Sequence, residues 1–217
     1  MISLLHFDNH NNIFKDKFNN ISYYHNSGSL TISEDNKKFG TSSMNLSGGT
    51  ITTSTFSSKN GFTVDFWFYT YAYAFYEILL GVNEHSNSNS VRIQRENRNG
   101  WFYFYNTGDH MDITGISVSN NVWNHFAYVY DNDNKTIKLY INGINAITRS
   151  YSYNDGDISL SFGVCNYETK VVYSYYDELR ICTNVVYNGD FDVPERPYEL
   201  IDYYRLFDEN SKLYQIK

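Results

Sequence analysis

The chain of 217 residues carries a formal charge of −7 and a pI near 5.3. That acidic balance, with no basic run, argues against nucleic acid or an anionic membrane surface as partner. No stretch of about 18 apolar residues is present to form a membrane-spanning helix. Aromatic residues make up 18% of the chain, with 22 Tyr and 15 Phe, while Pro occurs only 2 times. Aromatics favour strands and the abundant Asn favours turns. One domain of this size buries roughly 70% of its unfolded-chain surface, enough for a core without metal or disulfide staples.

In chain order, nearly every segment reads as strand or turn. Met1-Ile-Ser-Leu-Leu-His-Phe-Asp8 lacks a basic leader and its apolar run breaks at His6 and Asp8, so it is a first strand (2–7) rather than a signal peptide. Residues 8–20 are polar and loop-like. Short strands are expected at 30–33 and at 42–47, the second followed by Gly48-Gly49. From Gly61 to Thr70 the alternation is clean: Phe62, Val64, Phe66 and Phe68 share one face, and Thr63, Asp65, Trp67 and Tyr69 the other. Strands at 77–82 and 91–94 bracket an Asn- and Ser-rich loop. Residues 71–80 have mild helical spacing, but their aromatics fit an irregular strand connection equally well. Trp101-Phe-Tyr-Phe-Tyr105 follows a turn at Asn99-Gly100.

The clearest pattern is a hairpin. Residues 123–131 and 136–141 alternate with period two across a polar connection, and Asn142-Gly143 suits a type I′ turn because both residues tolerate positive φ. Further strands are expected at 158–164 and 171–182. Pro194 and Pro197 mark where the strands stop, giving a domain at 1–197 and a tail at 198–217 that packs on the domain or on a partner. Strands this dense, with turn signals about every ten residues, predict an all-β sandwich of two antiparallel sheets. Cys165 and Cys182 do not make a disulfide framework; they read as small buried side chains, able to pair only if their strands are neighbours.

Six motifs in order carry a family resemblance: Lys38-Phe-Gly-Thr-Ser-Ser-Met44, Gly61-Phe-Thr-Val-Asp-Phe-Trp67, Trp123-Asn-His-Phe-Ala127, Leu139-Tyr-Ile-Asn-Gly143, Tyr176-Asp-Glu-Leu-Arg-Ile181 and Phe191-Asp-Val-Pro194. Together they resemble the concanavalin A-like lectin/glucanase superfamily, and more closely its laminin-G-like jelly-roll domains. The opening Leu4-Leu-His-Phe-Asp8 and the ending at 210–217 resemble bacteriophage tail proteins. The resemblance implies a jelly roll in which Trp67 and Trp123 are core positions and His125 is structural. It also implies a structural calcium ion near Asp8 and Asp177; calcium takes six or more oxygens, which carboxylates and loop carbonyls can supply. The competing reading is that Asp177 pairs with Arg180 or caps a turn.

Glucanases of the superfamily place acid and nucleophile on one strand face at spacing two. Here Asp65 stands alone on its face, and Asp177 and Glu178, being adjacent, would point to opposite faces of a regular strand. No nucleophile elbow or phosphate-cradling loop is present, no His/Cys spacing suggests zinc, and the scattered histidines read as surface residues. A non-catalytic binding role follows. Trp101, Tyr103 and Tyr105 share a strand face, and Tyr71 and Tyr73 lie at a loop edge; such aromatics can stack on sugar rings, the competing reading being plain core. The expected ligand is a glycan or bacterial surface polymer. The expected setting is a phage tail or similar particle with other tail proteins as partners, or else the cytoplasm. The alternatives are a structural protein–protein module and a hydrolase of non-standard constellation.

Overall fold

Alternation of apolar and polar residues forces each strand to bury one face, and the computed structural model shows where each face goes. It describes residues 1–9, 11–70, 76–83, 91–96, 101–106, 109–153, 156–163 and 173–199, with only the backbone described over 76–78, 92, 94–96, 101–106, 109–117 and 173. Among the described residues fifteen strands run in chain order: β1 Ser3–Leu5, β2 Tyr23–Ser33, β3 Ser43–Thr53, β4 Phe56–Ser57, β5 Phe62–Thr70, β6 Tyr76–Val82, β7 Val91–Glu96, β8 Trp101–Asn106, β9 Asp109–Ser117, β10 Trp123–Asp131, β11 Thr136–Ile141, β12 Ile144–Ser150, β13 Asp157–Ile158, β14 Leu160–Gly163 and β15 Tyr173–Cys182. All their pairings are antiparallel. The ladder order β12-β11-β10-β5-β15-β3-β14-β6-β7-β8-β9, with β1 on β15 and β2 on β3, folds over on itself to give the predicted jelly-roll sandwich.

The fold-over occurs within β3. Residues 44–47 pair with β15 and residues 50–52 with β14, so one strand serves both layers. Gly48 and Gly49 sit between these halves, Gly48 with φ of 63°. Backbones meet there without room for side chains: a Cβ on Gly28 would lie 2.1 Å from the Gly48 carbonyl oxygen, and one on Gly163 would lie 2.1 Å from that of Gly49. Glycine at such a corner lets the sheet bend sharply. The sequence pattern ends a strand at this point, because Gly-Gly normally breaks one; in the fold the strand continues through it. Likewise β2 extends from 23, and β9 was not visible as a strand in the sequence.

The core between the layers is aromatic. Phe66 stacks on Phe126 at 5.0 Å between centroids and meets Phe162 of the opposite layer edge-on at 5.7 Å. Phe62, Val64, Phe66 and Phe68 are all fully buried in it, as the alternation predicts. Two tyrosines inside this core, Tyr128 and Tyr153, satisfy each other with a hydroxyl–hydroxyl bond of 2.8 Å, as buried polar groups require. The predicted hairpin is present. Asn142 and Gly143 adopt φ of 50° and 81°, both positive as a type I′ turn demands.

Beyond β15 the chain forms no strand up to residue 199 and lies over the outer face of the central strands. Val185, Tyr187 and Phe191 cover Ala127, Val129 and Tyr140, and Tyr198 joins Met1, Leu4 and Cys182 in a second small cluster. Gly143 accepts a hydrogen bond from the Phe191 amide at 2.9 Å, so the hairpin turn anchors this strap. Cys182 is buried and free; Cys165 and the tail from residue 200 lie outside the described residues.

Candidate functional site: the outer face of the central sheet

The outer faces of β15, β5 and β10 are in register, so their side chains form rows. One row is Arg180–Asp65–Ala127, the next Asp177–Trp67–His125, the third Tyr175–Tyr69–Trp123. The first two rows lie under the strap and the 38–39 loop; the third is half-buried.

Asp65, the lone carboxylate of β5, is fully buried and paired with Arg180, whose Nε donates to Oδ1 at 3.0 Å. The Tyr187 hydroxyl donates to Asp65 Oδ2 at 2.8 Å, and the guanidinium lies over the Tyr198 ring at 3.9 Å. A buried charge pair persists only when its remaining donors and acceptors are satisfied, and the strap tyrosines do that here. His125 is buried and edge-on to Trp67 at 5.2 Å, with Nε2 3.0 Å from the Tyr198 hydroxyl. It is therefore an interior residue and not the surface histidine its sequence context suggests. Burial pulls its imidazole down to about 4; Asp65 opposes this, and Arg180 and Lys38 add to it. The Nδ1 atom of His125 and Nε1 of Trp67 are both buried without partners.

A β-bulge changes the reading of the acidic pair. Asp177 is in register with Trp67 and Arg180 with Asp65, so three steps on β15 match two on β5. Glu178 takes up the extra residue with φ of 53°. Strict alternation fails there, and both carboxylates are buried rather than split between opposite faces. Asp177 accepts from the amides of Lys38 at 2.8 Å, Phe39 at 3.1 Å and Glu178 at 2.9 Å. It caps a turn and does not pair with Arg180. Burial pushes its carboxyl up to about 8; the Phe39 amide opposes this, and the charge of Glu178 adds to it. Glu178 accepts from the Tyr198 amide at 2.8 Å and lies 2.6 Å from His6 Nδ1.

Asp8 grips the other end of the same loop, with Oδ1 accepting from the Thr41 amide and hydroxyl and the Ser42 amide at 2.6, 3.0 and 3.0 Å. As they stand, Asp8 and Asp177 cap the amides of one loop. Among the described residues no group of three or more His, Cys, Asp or Glu converges; calcium would also need loop carbonyls.

The third row differs in kind. Tyr69 meets Tyr175 at 5.8 Å and Trp123 at 5.6 Å between centroids, the planes inclined by 73° and 53°. Asn45 of β3 is in register with Tyr175, extending the row to a fourth strand. Trp123, a core position by family resemblance, is half-buried at the end of β10. Lys38 lies 3.9 Å from the Trp67 ring, closing the row above. A cavity of about 640 Å³, lined by Asn and charged residues together with Phe7 and Ile13, lies elsewhere, within the 6–19 loop.

Of the sequence-predicted ligand residues, Trp101, Tyr103 and Tyr105 lie on β8, in register with Glu96, Gln94 and Arg92 of β7. Their side chains, and all of Tyr71 and Tyr73, lie outside the described residues. The Tyr175–Tyr69–Trp123 row was missed because it joins three strands distant in sequence. Its one sequence signal is Tyr69 sharing a face with Trp67.

This arrangement defines a lectin-like jelly-roll module. The family model for the concanavalin A-like lectin/glucanases superfamily matches residues 40–187, and the chain belongs to that superfamily. No curated protein sequence matches the chain. Among solved structures, domain 4 of AbnA, a GH43 extracellular arabinanase from Geobacillus stearothermophilus in complex with arabinotriose, is similar at a TM-score of 0.64 and 19% identity, covering 83% of this chain and 90% of that one. Cellulose induced protein Cip1 matches at 0.58 and 14%, covering 78% and 94%. Botulinum neurotoxin type C, in a structure concerned with interaction with two ganglioside molecules, matches at 0.61 and 12%, covering 86% of this chain but only 48% of that one. At these identities the likeness concerns the fold.

Proposed function

We propose that this chain is a non-catalytic module that recognises a glycan or cell-surface polymer. The observation that carries the reading is the use made of the central carboxylates. Asp65 on β5 and Asp177 and Glu178 on β15 are buried carboxylates of the central strands. Each is committed to the scaffold: to Arg180, to the 38–39 amides, and to His6 and the Tyr198 amide. A hydrolase needs one carboxyl beside the leaving group and a second free to attack or to activate water. Similar folds that hold arabinotriose, or that are described with gangliosides, support a sugar ligand.

A glycan array with diverse bacterial polysaccharides tests the proposal. Binding without release of reducing ends supports it; release of reducing ends overturns the non-catalytic part, and absence of binding together with stable complex formation with a tail protein favours the structural-module reading. The setting in a phage tail or similar particle rests on the sequence resemblance, and the identity of the flanking genes tests it. Calcium at Asp8 and Asp177 is a separate proposal: a melting temperature raised by the ion and lowered again by EDTA supports it, and no shift rejects it.

A further inference from the structure

The loop between β1 and β2 bounds the cavity of about 640 Å³, a volume inside the range of roughly 300–1,000 Å³ typical of small-molecule sites. Its frame is fixed by its own polar groups. Phe7 and Asn19, at its two ends, adopt positive φ of 59° and 55°, so the backbone turns sharply at both. The ends are tied together: the Lys17 amide donates to the Leu4 carbonyl at 3.2 Å, and Asp16 Oδ1 accepts from the Leu4 and Phe18 amides at 2.9 and 3.1 Å. Inside the loop, Asn9 Oδ1 accepts from the amides of Asn11 and Asn12 at 3.0 and 3.2 Å, and the Asn12 carbonyl accepts from the Lys15 amide at 3.0 Å. A compact loop tied at its ends is preformed for a ligand, and such loops frequently carry function.

What the frame leaves over carries the chemistry. Elsewhere asparagine side chains are spent on the fold: Asn124, Asn132, Asn134 and Asn142 each donate within the chain. Asn11, Asn12 and Asn19 line the cavity and are exposed, and among the described residues their side-chain amides enter no bond. An amide presents a donor and an acceptor side by side, which matches a pair of neighbouring hydroxyls. Exposed Lys15 and Lys17 add donors to the lining, and half-buried Ile13 adds an apolar patch for the face of a sugar ring. The charges narrow the ligand further. Asp8 and Asp16 offset Lys15 and Lys17, and His6 lies 2.6 Å from Glu178. A lining whose charges balance gives no net field to draw in an acidic or a basic ligand, whereas hydroxyls use donors and acceptors alike.

We propose that the 6–19 loop binds a neutral mono- or disaccharide in this cavity. Asn11, Asn12 and Asn19 pair with its hydroxyls, Lys15 and Lys17 donate to its oxygens, and Ile13 packs against a ring face. The side chains touch the sugar directly, with no intervening ion. This deepens the glycan-binding reading above and rests on it.

The test is calorimetric titration of the whole chain with the neutral disaccharides arabinobiose, xylobiose, maltose and cellobiose, in EDTA and again in calcium, beside the glycan array. Wild-type protein should bind at least one disaccharide equally well in both. Asn11→Ala, Asn12→Ala and Asn19→Gly change exposed side chains, the last keeping the positive φ, and each should lose about tenfold in affinity. Lys59→Ala, outside the loop, should keep the wild-type value. Should one of the asparagine variants fail to fold, Lys15→Gln and Lys17→Gln should each lose about threefold. Affinity unchanged across the folded loop variants overturns the cavity while leaving glycan recognition intact, and so does binding of array glycans without any of the disaccharides. Wild-type protein that binds no disaccharide and no array glycan overturns both readings. Binding that appears only in calcium overturns direct contact by these side chains, and array binding confined to acidic glycans overturns the neutral ligand.

Discussion

The two ends of the outer face of β5, β10 and β15 are built from the same strands yet do opposite things. At one end Asp65, Arg180, Glu178 and His125 are buried under the strap of residues 183–199, and every contact ties chain to chain. At the other, Tyr175, Tyr69 and Trp123 are half-buried, and Tyr69 meets both of the other rings. Charge is costly to bury, so a polar face under a strap must be satisfied group by group, which fixes where the strap lies. Aromatic rings carry no such demand and can stay partly exposed at little cost. The difference teaches that charge on this sheet specifies architecture, while uncharged aromatics leave a face partly open.

The sharpest way to break the comparison is at the ion pair. Asp65→Asn leaves the Arg180 charge buried without its partner and should cost about 3–5 kcal/mol, measured by denaturant unfolding. A loss below about 1 kcal/mol would mean the strapped end is not held by charge.

Acidity probes the same end. His125 has a folded-state value of about 4 against 6.5 in the unfolded chain, so the unfolded state takes up the proton first. Its contribution is complete above pH 6.5 and is lost as pH falls toward 4, a decline of roughly 3 kcal/mol for a shift of this size. Asp177 works in the other direction. Its folded value of about 8 exceeds the unfolded 3.8, so its contribution is complete below pH 3.8 and is lost as pH rises toward 8. Relative to wild type, Asp177→Asn should therefore gain stability progressively between pH 4 and pH 8. A difference curve that is flat, or slopes the other way, would show that the three amide donors outweigh burial.

The turn that anchors the strap comes next in size. Gly143 has φ of 81°, and a Cβ there would lie 2.0 Å from the Phe191 carbonyl oxygen. Gly143→Ala should cost about 1–3 kcal/mol from backbone strain and displacement of the strap, with faster amide exchange at residues 185–191 as the readout. The smallest effect belongs to the aromatic end. Trp123→Ala should change stability by about 1 kcal/mol, the span of strand preferences at a half-exposed site, measured by denaturant unfolding. A large loss of stability instead would return the row to the core.

How much of this was legible in the sequence depends on range. Phe62, Val64, Phe66 and Phe68 on one face and the Asn142-Gly143 turn were readable because both signals lie within a few residues. The same local rule misassigned Asp177 and Glu178 to opposite faces, since a bulge is one added residue whose presence depends on the partner strand. It ended β3 at Gly48-Gly49, because the glycines that usually stop a strand serve here as the corner shared by both layers. His125 looked like a surface residue because the chain that buries it, at Tyr198, lies 73 positions away.

The sequence by itself determined that this is an antiparallel β-sandwich, because period-two patterning and turn chemistry are local properties of the chain; its jelly-roll type came from the family resemblance of six motifs. Only the tertiary structure decided which carboxylates are occupied and which aromatics stand together. Asp65 finds Arg180 across 115 residues, and Tyr69 lies between Tyr175 and Trp123 by strand register alone. Register is set by packing across the whole sheet, so the aromatic row exists only once the strands are aligned.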